Sequence, residues 1–158
     1  MKAKDLVRVF FWLDPSDWHG LQTESLWAEP IAAAQGGDLF EVKNSPFYTR
    51  EVSYLDIVRA VPGIHVRGLD FAGLIGSRGH STYRILVQDD SRGFDEYWQR
   101  LSHLGGTYEG GQVRAATLYS VDVPETTDIH QVRRILEDGH NDGVWTFEEG
   151  RVVHPARS

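Results

Sequence analysis

The chain has 158 residues, of which 41% are hydrophobic and 11% aromatic, enough to bury the core of one ordinary domain or two small ones. Sixteen Lys and Arg against twenty-three Asp and Glu give a formal net charge of −7, which disfavours an extended contact with nucleic-acid phosphates. The absence of cysteine excludes disulfides, thiolate nucleophiles and Cys-based zinc sites.

The first predicted element is a strand at residues 6–13, which are dense in β-branched and aromatic side chains. Lys2 and Lys4 precede this apolar run, and Arg8 interrupts it. The run is too short to span a membrane and lacks the small-residue cleavage site of a signal peptide. We therefore expect a cytoplasmic protein.

Four more strands are predicted in the N-terminal half, at residues 24–31, 39–42, 54–61 and 64–74. Turn residues separate them, including a hairpin signal, Gln-Gly-Gly-Asp, at 35–38. The run at 54–61 also fits one helical turn leading into a strand, because short apolar runs have no decisive period. Short strands at this spacing predict a small barrel or a strongly curled sheet.

The C-terminal half begins with a glycine-rich polar segment at 77–82 that leads into an alternating strand around Tyr83, Ile85 and Val87. A helix follows, and its apolar residues recur at three- and four-residue steps up to Gly105 and Gly106: Phe94, Tyr97, Trp98, Leu101 and Leu104. Two strands are then predicted, at 107–113 and 115–123.

A second helix is predicted after Pro124, capped by Thr126 or Thr127 and with Asp128 in its first turn. Its buried stripe consists of Ile129, Val132, Ile135 and Leu136. The glycine-containing run at 139–143 is expected to end it. A last strand is predicted at 144–147, resuming at 151–153.

This order of elements predicts an α+β protein in which a small N-terminal β unit, residues 1–76, packs on a ferredoxin-like βαββαβ domain, residues 77–154. Residues 155–158 form a tail. Leu86 and the row of Tyr119 place apolar groups on both faces of the predicted sheet. We therefore expect the N-terminal unit or a second copy of the chain to cover one face, the latter as a homodimer.

Four strings carry a resemblance to a known family: Glu-Ser-Leu-Trp-Ala-Glu-Pro at 24–30, residues 44–47 ahead of Asp56-Ile57-Val58, Gly-His-Ser-Thr-Tyr-Arg at 79–84, and residues 143–149. Together they resemble a bacterial family known as domain of unknown function 4265, over nearly the whole chain. The family implies no established activity. Residues 63–77 depart most from its pattern.

The segment Arg78-Gly79-His80-Ser81-Thr82, with Arg84, contains the groups of an anion site: flexible backbone, hydroxyls and two guanidinium groups. A structural hinge is favoured, because phosphate loops normally lead into a helix and this segment leads into a strand. In a hinge, His80 would lie between the units, Ser81 or Thr82 would bond backbone where the strand begins, and Arg84 would reach a partner on the N-terminal unit.

Other candidate residues have weaker support. The acidic pairs Asp89-Asp90 and Asp95-Glu96 are expected to be solvated surface rather than catalytic dyads. Trp18, in a polar loop, is a candidate binding anchor, whereas Trp27 and Trp98 are expected in the core. The seven histidines show no metal-ligand spacing, and no catalytic or cofactor motif is present. We therefore expect neither enzymatic activity nor a cofactor.

Three functions remain open. The leading hypothesis is a non-catalytic protein-binding module of the inhibitor, immunity or regulatory kind, whose acidic groups, including Glu148 and Glu149, attract a basic partner. The second is a small-molecule or anion sensor with its site around Arg78, His80, Ser81 and Arg84. The third is an RNA-binding sheet that stacks bases on Tyr83 and Tyr119.

Overall fold

The computed structural model describes residues 5–155, and the chain divides into two units between Arg78 and Gly79. The sequence placed this boundary two residues earlier, after Gly76. Lys2 and Lys4, and the tail beyond Pro155, lie outside the described residues.

The first unit is a closed barrel of five strands, which confirms the predicted barrel. Successive strands pair antiparallel, and β1 also pairs with β5. Because five strands of alternating direction bring the first and last into the same direction, the closing pair β1–β5 is parallel. The strands are β1 (Val7–Trp12), β2 (Thr23–Ala32), β3 (Asp38–Val42), β4 (Ile57–Pro62) and β5 (Gly68–Gly76).

The barrel interior is filled by alternate residues of its strands, as strand geometry requires. On β1, Val9 and Phe11 are fully buried, whereas the neighbouring Arg8 and Trp12 are exposed. The remaining members of this core are Leu26, Ala28, Phe40, Val42, Val52, Val58 and Ala60. The hairpin between β2 and β3 contains Gly36 and Gly37, both with positive φ.

Trp27 is not in the core, contrary to expectation, and 41% of its surface is exposed. Its neighbours on β2, Leu26 and Ala28, point into the barrel, so Trp27 must point outward. There the Arg8 guanidinium lies 4.8 Å from the centre of the indole ring. The apolar pair Leu26-Trp27 in the sequence does not reveal which member is buried.

A buried carboxylate of β2 anchors the long connection between β3 and β4. Glu24, on β2, accepts backbone N–H bonds from Phe47 (2.6 Å), Tyr48 (3.1 Å) and Thr49 (2.9 Å). A carboxylate with three such donors is strongly anchored. β2 and this loop therefore form one structural element.

The second unit combines a four-stranded sheet with two helices, so the chain as a whole is mixed α/β. The sheet order is β7-β8-β6-β9, and all neighbouring strands are antiparallel. The elements are β6 (Ser81–Gln88), α1 (Phe94–His103), β7 (Thr107–Val113), β8 (Ala116–Val123), α2 (Ile129–Asn141) and β9 (Thr146–Glu149). No helix in residues 5–155 is long and apolar enough to cross a membrane.

Both helices contribute to one core with the Tyr83 face of the sheet. Tyr83 and Ile85 on β6 lie opposite Val121 and Tyr119 on β8, so these four side chains share a face. Tyr83 is only 1% exposed. Tyr83 is therefore not accessible for the expected stacking of bases, because it lies in the protein's own core, and Tyr119 on the same face packs against that core while partly buried.

Helix α1 ends as predicted at the two glycines. Gly105 has a φ of +101°, and Gly106 donates its N–H to the carbonyl of Leu101. The start of α2 differs from expectation, because Asp128 is the N-cap and accepts from the N–H of His130. Thr127 instead donates its hydroxyl to the Leu104 carbonyl, at 2.7 Å.

Helix α2 also continues through Gly139, which was expected to break it. The Trp145 indole packs so closely on this glycine that a Cβ atom would lie 2.4 Å from Cε2 of the ring. Trp145 donates its Nε1–H to the Leu136 carbonyl at 2.9 Å. Trp145 therefore precedes the last strand, which begins at Thr146, and residues 151–153 do not resume it.

Candidate functional site

The residues of the segment 78–84 have protein partners. Arg78 belongs to the first unit, where it forms an ion pair with Glu41 at 3.0 Å. The other candidates, His80, Ser81, Thr82 and Arg84, belong to the second unit. Arg78 is therefore engaged within the first unit, and Arg84 is buried within the second.

His80 binds a buried carboxylate. Its Nδ1 lies 2.8 and 2.9 Å from the two carboxylate oxygens of Asp122, which projects from the neighbouring strand β8. Burial raises the pKa of Asp122, and the hydrogen bond from His80 opposes that shift. The acidic partner of His80 thus lies within its own unit.

Ser81 anchors the chain beyond β9. Its Oγ accepts the backbone N–H of Val153 at 2.9 Å and of His154 at 3.2 Å. It also lies 2.6 Å from Nδ1 of His154. Nε2 of His154 lies 2.9 Å from the Pro124 carbonyl, which can only accept, so Nε2 is the donor and Ser81 supplies the proton to Nδ1.

This arrangement has the residue types of a serine–histidine dyad but not its accessibility. Ser81 has no exposed surface, and its hydroxyl is engaged by two backbone donors and a histidine. A nucleophile must reach a substrate atom. We therefore interpret Ser81 and His154 as a structural latch, a pair that fixes the chain after β9 to the start of β6. Ser81 does bond to backbone as expected, but its partners are the N–H groups of residues 153 and 154 rather than groups at the start of the strand.

Arg84 is the largest fully buried side chain, at 1% exposure. Its Nε lies 3.3 Å from Oε1 of Glu148, directly across the β6–β9 pair. Thr82, also fully buried, bonds Gly150 and Arg151 through its backbone. Arg84 was expected to reach a partner on the N-terminal unit, but its acidic partner is Glu148 of its own unit. Because Glu148 is paired with Arg84, it is not available to attract a basic protein.

Four of the expected acidic groups are exposed. Asp89 and Asp90 lie between β6 and α1, and Asp95 and Glu96 lie in the first turn of α1. Of these four, Asp90 lines an open groove of about 610 Å³, together with Asp142 and His140, among others. Glu149 is exposed as well, but it forms an ion pair with Arg133.

Trp18 is 52% exposed, as a binding anchor requires. Its ring centroid lies 5.7 Å from that of His19 and 5.9 Å from that of Tyr48. The His19 side chain is almost fully covered, so one of the two rings beside Trp18 is itself buried.

Most of the exposed large apolar residues belong to the first unit, a distribution that was not predicted from the sequence. Of the eleven large hydrophobic residues that are exposed in the described chain, ten lie in the first unit and one, Tyr108, in the second. Leu6, Trp27 and Val66 line one groove of about 590 Å³ together with Arg8 and Arg67. We call these five residues the barrel patch.

The barrel patch continues along β1. His65 stacks on Phe10, with ring centroids 3.8 Å apart, and lies 5.8 Å from the ring of Trp12. Trp12 is itself exposed. A continuous run of apolar side chains predicts a strand that is buried on both faces. The run at residues 6–13 therefore gave no indication that one face of β1 is exposed.

A metal site has no support in the geometry: within residues 5–155, no three His, Asp or Glu side chains are placed to hold an ion together.

Comparisons with known proteins identify the family. The family model described as "Domain of unknown function (DUF4265)" matches residues 24–147. A crystal structure described as a hypothetical protein from Neisseria gonorrhoeae has a TM-score of 0.69 at 17% identity, covering 98% of this chain and 99% of that one, and so shares the fold. A search of curated proteins finds no match. The family model spans most of the sequence, and the protein therefore belongs to the family of this domain of unknown function.

Proposed function

We propose that the protein is a non-catalytic protein-binding module of the inhibitor, immunity or regulatory kind, and that it binds its partner through the barrel patch. The observation that carries this proposal is the concentration of exposed large apolar side chains on the barrel. Contiguous exposed apolar surface on a soluble protein is typical of interaction sites. Trp and Arg, which are enriched at binding hot spots, lie together here as Trp27 and Arg8.

The second unit would support binding without making the main apolar contact. We propose that it is a ferredoxin-like split βαβ domain, since its order of elements and the strand order β7-β8-β6-β9 fit that arrangement. Its exposed carboxylates at Asp89, Asp90, Asp95 and Glu96 would attract a basic partner over a distance. The function is thus divided between a charged unit and an apolar one.

The proposal is tested by site-specific photo-crosslinking in the native cell. Trp27 is replaced by a photoreactive phenylalanine in one strain, and Tyr108, the exposed aromatic residue of the second unit, in a control strain. We expect an adduct with a different protein from position 27 and none from position 108. Val66→Asp, at a fully exposed position, should abolish that adduct without changing the unfolding midpoint.

Three outcomes would overturn the proposal. They are equal adducts from positions 27 and 108, an adduct that persists in Val66→Asp, and an adduct with the protein itself alone. The last would instead make the barrel patch a homodimer contact.

A further inference from the structure

A cavity of about 620 Å³ in the second unit has the size and lining of a small-molecule site. It opens between the first turns of α2 and the chain that follows β9. Ile129 and Val152 give it an apolar side, and Tyr83 also lines it. None of the residues that the sequence assigned to an anion site, Arg78, His80, Ser81 or Arg84, lines this cavity.

One wall of the cavity carries charged side chains of α2. Arg133, Arg134 and Glu137 line it together with His130, at the helical spacing that places them on one side of the helix. Arg133 pairs with Glu149 and with Glu137, the latter at 3.6 Å. Both carboxylates also line the cavity, so Arg133 is fully paired and offers no free positive charge to a ligand.

Arg134 differs from Arg133 in its surroundings. No hydrogen bond or ion pair joins its guanidinium to another side chain of residues 5–155. Its donors are therefore available to a ligand in the cavity. A guanidinium group presents paired N–H donors that match a carboxylate or a phosphate.

The Tyr83 hydroxyl supplies a second donor. It interacts with the Arg133 guanidinium, which can only donate, so the hydroxyl accepts from Arg133 and keeps its own proton for another acceptor. Burial raises the pKa of the Tyr83 phenol, which keeps that proton in place.

His154 also lines the cavity. Both ring nitrogens of His154 are engaged, one by Ser81 and the other by the Pro124 carbonyl, so the ring is not available to a ligand. The cavity thus combines the Arg134 guanidinium and the Tyr83 hydroxyl as donors, an apolar side, and two carboxylates, Glu137 and Glu149, that are paired with Arg133.

We propose that this cavity binds a small organic anion, a carboxylate or phosphate ester whose charged group lies against Arg134 and the Tyr83 hydroxyl and whose apolar body lies on Ile129 and Val152. This ligand site is independent of the barrel patch, because all its residues belong to the second unit. Ligand occupancy and partner binding can therefore be measured separately.

The test titrates the full chain with four probes: benzoate, phenyl phosphate, inorganic phosphate and benzyl alcohol. Binding is followed through the NMR signals of the Ile129 methyl groups and the Arg134 side chain. We expect saturable shifts with benzoate or phenyl phosphate, at least tenfold weaker binding of inorganic phosphate, and none of benzyl alcohol. Whichever aromatic anion binds more tightly identifies the charged group as carboxylate or phosphate.

Variants locate the site. Arg134→Gln should weaken the binding of the aromatic anion at least tenfold, whereas the matched change Arg100→Gln on α1 should leave it unchanged. Unfolding midpoints of both variants are measured to show that each is folded. The proposal is overturned if neither aromatic anion saturates the protein, if benzyl alcohol binds equally well, or if Arg134→Gln and Arg100→Gln have the same effect.

Discussion

At the scale of single residues, Ser81 is the side chain whose loss we expect to cost the most stability for its size. Ser81→Ala removes the acceptor of two backbone N–H groups, those of Val153 and His154, and the donor to the His154 ring. Buried donors without acceptors cost roughly 1–3 kcal/mol. We expect a loss of that size in urea unfolding.

The matched control is Ser102→Ala, at an exposed position on α1, which should change the free energy of unfolding by less than about 0.5 kcal/mol. Equal midpoints for Ser81→Ala and the wild type would show that the latch does not hold the chain beyond β9.

His80 gives a second prediction through its partner. His80→Ala leaves the buried Asp122 carboxylate without the hydrogen bond that opposes its desolvation. We expect a loss of roughly 1–3 kcal/mol at neutral pH. An unchanged urea midpoint would mean that the His80–Asp122 pair contributes nothing to stability and would leave His80 free for another role.

The raised pKa of Asp122 predicts a pH dependence with a definite sign. Because the folded state holds this proton more tightly than the unfolded state, Asp122 contributes stability that is full below its ordinary pKa of 3.8 and is lost as pH rises through the raised folded pKa. Wild type should therefore gain stability relative to Asp122→Asn as pH falls through that window. A difference between the two proteins that is constant with pH would contradict this assignment.

The partners of these residues could not have been found from the sequence. Ser81 and His154 are 73 positions apart, and His80 and Asp122 are 42 apart. Hydrophobic periodicity places residues on strands and helices but does not set which strands are neighbours. One signal was present: the strings at 79–84 and 143–149 carry opposite charges, Arg84 and Glu148, which the structure pairs across β6 and β9.

At the scale of elements, a substitution at Gly139 sets helix propensity against steric overpacking by Trp145. Gly→Ala in a helix interior is favourable by about 1 kcal/mol when only propensity counts. Here the added Cβ would meet the Trp145 indole at 2.4 Å. We expect Gly139→Ala to destabilise the protein by roughly 1–3 kcal/mol, because overpacking outweighs propensity.

A double-mutant cycle with Trp145→Phe identifies the cause. The clashing atoms are Cε2, Nε1 and Cζ2 of the indole, and phenylalanine lacks both the nitrogen and the outer carbon Cζ2. The double variant should therefore lose less stability than the two single variants added together. Strict additivity, or stabilisation by Gly139→Ala alone, would show that the ring can move away at little cost.

Glu24 tests whether the β3–β4 connection depends on β2. Glu24→Ala removes the common acceptor of the Phe47, Tyr48 and Thr49 N–H groups, and bonds of this charged type contribute about 1.5–3 kcal/mol. Glu24→Gln keeps acceptor oxygen and should lose less. Hydrogen exchange at residues 47–49 reports the effect directly: protection retained in Glu24→Ala would show that other contacts hold this loop.

Elements were more predictable than their ends. The strands and helices arise from periodicity and turn residues, so the element order of the second unit was accessible from sequence. The boundaries of α2 could not be predicted from the sequence. At its start, Asp128 and two threonines are all possible N-caps, and near its end the packing of Trp145 keeps Gly139 helical. Trp27 was misplaced because an apolar residue within an apolar run gives no sign of its side.

At the scale of the whole molecule, charge and apolar surface are distributed unequally. Residues 79–158 contain eight arginines and thirteen acidic residues, a formal charge of −5, whereas residues 1–78 contain eight basic and ten acidic residues, a charge of −2. The exposed large apolar groups show the opposite bias, toward the barrel. Under the proposed function, the second unit would supply the long-range attraction of a basic partner and the barrel would supply the short-range contact.

This division predicts that the two units affect different rate constants with the partner captured at position 27. Exposed charges act mainly on association, whereas desolvated contacts act mainly on dissociation. Neutralising Asp89, Asp90, Asp95 and Glu96 together should lower the association rate constant about tenfold at low salt and leave the dissociation rate nearly unchanged. Val66→Asp should raise the dissociation rate instead.

Stopped-flow or surface plasmon resonance kinetics at two salt concentrations separate these effects. Raising the salt should lower the association rate constant of the wild type toward that of the neutralised variant. Salt screens the attraction between the four carboxylates and the partner, and the variant lacks that attraction already. Association that is independent of salt would remove the acidic unit from partner recognition. If the neutralised variant instead dissociates faster, its carboxylates lie inside the bound interface, and the contact surface extends beyond the barrel patch.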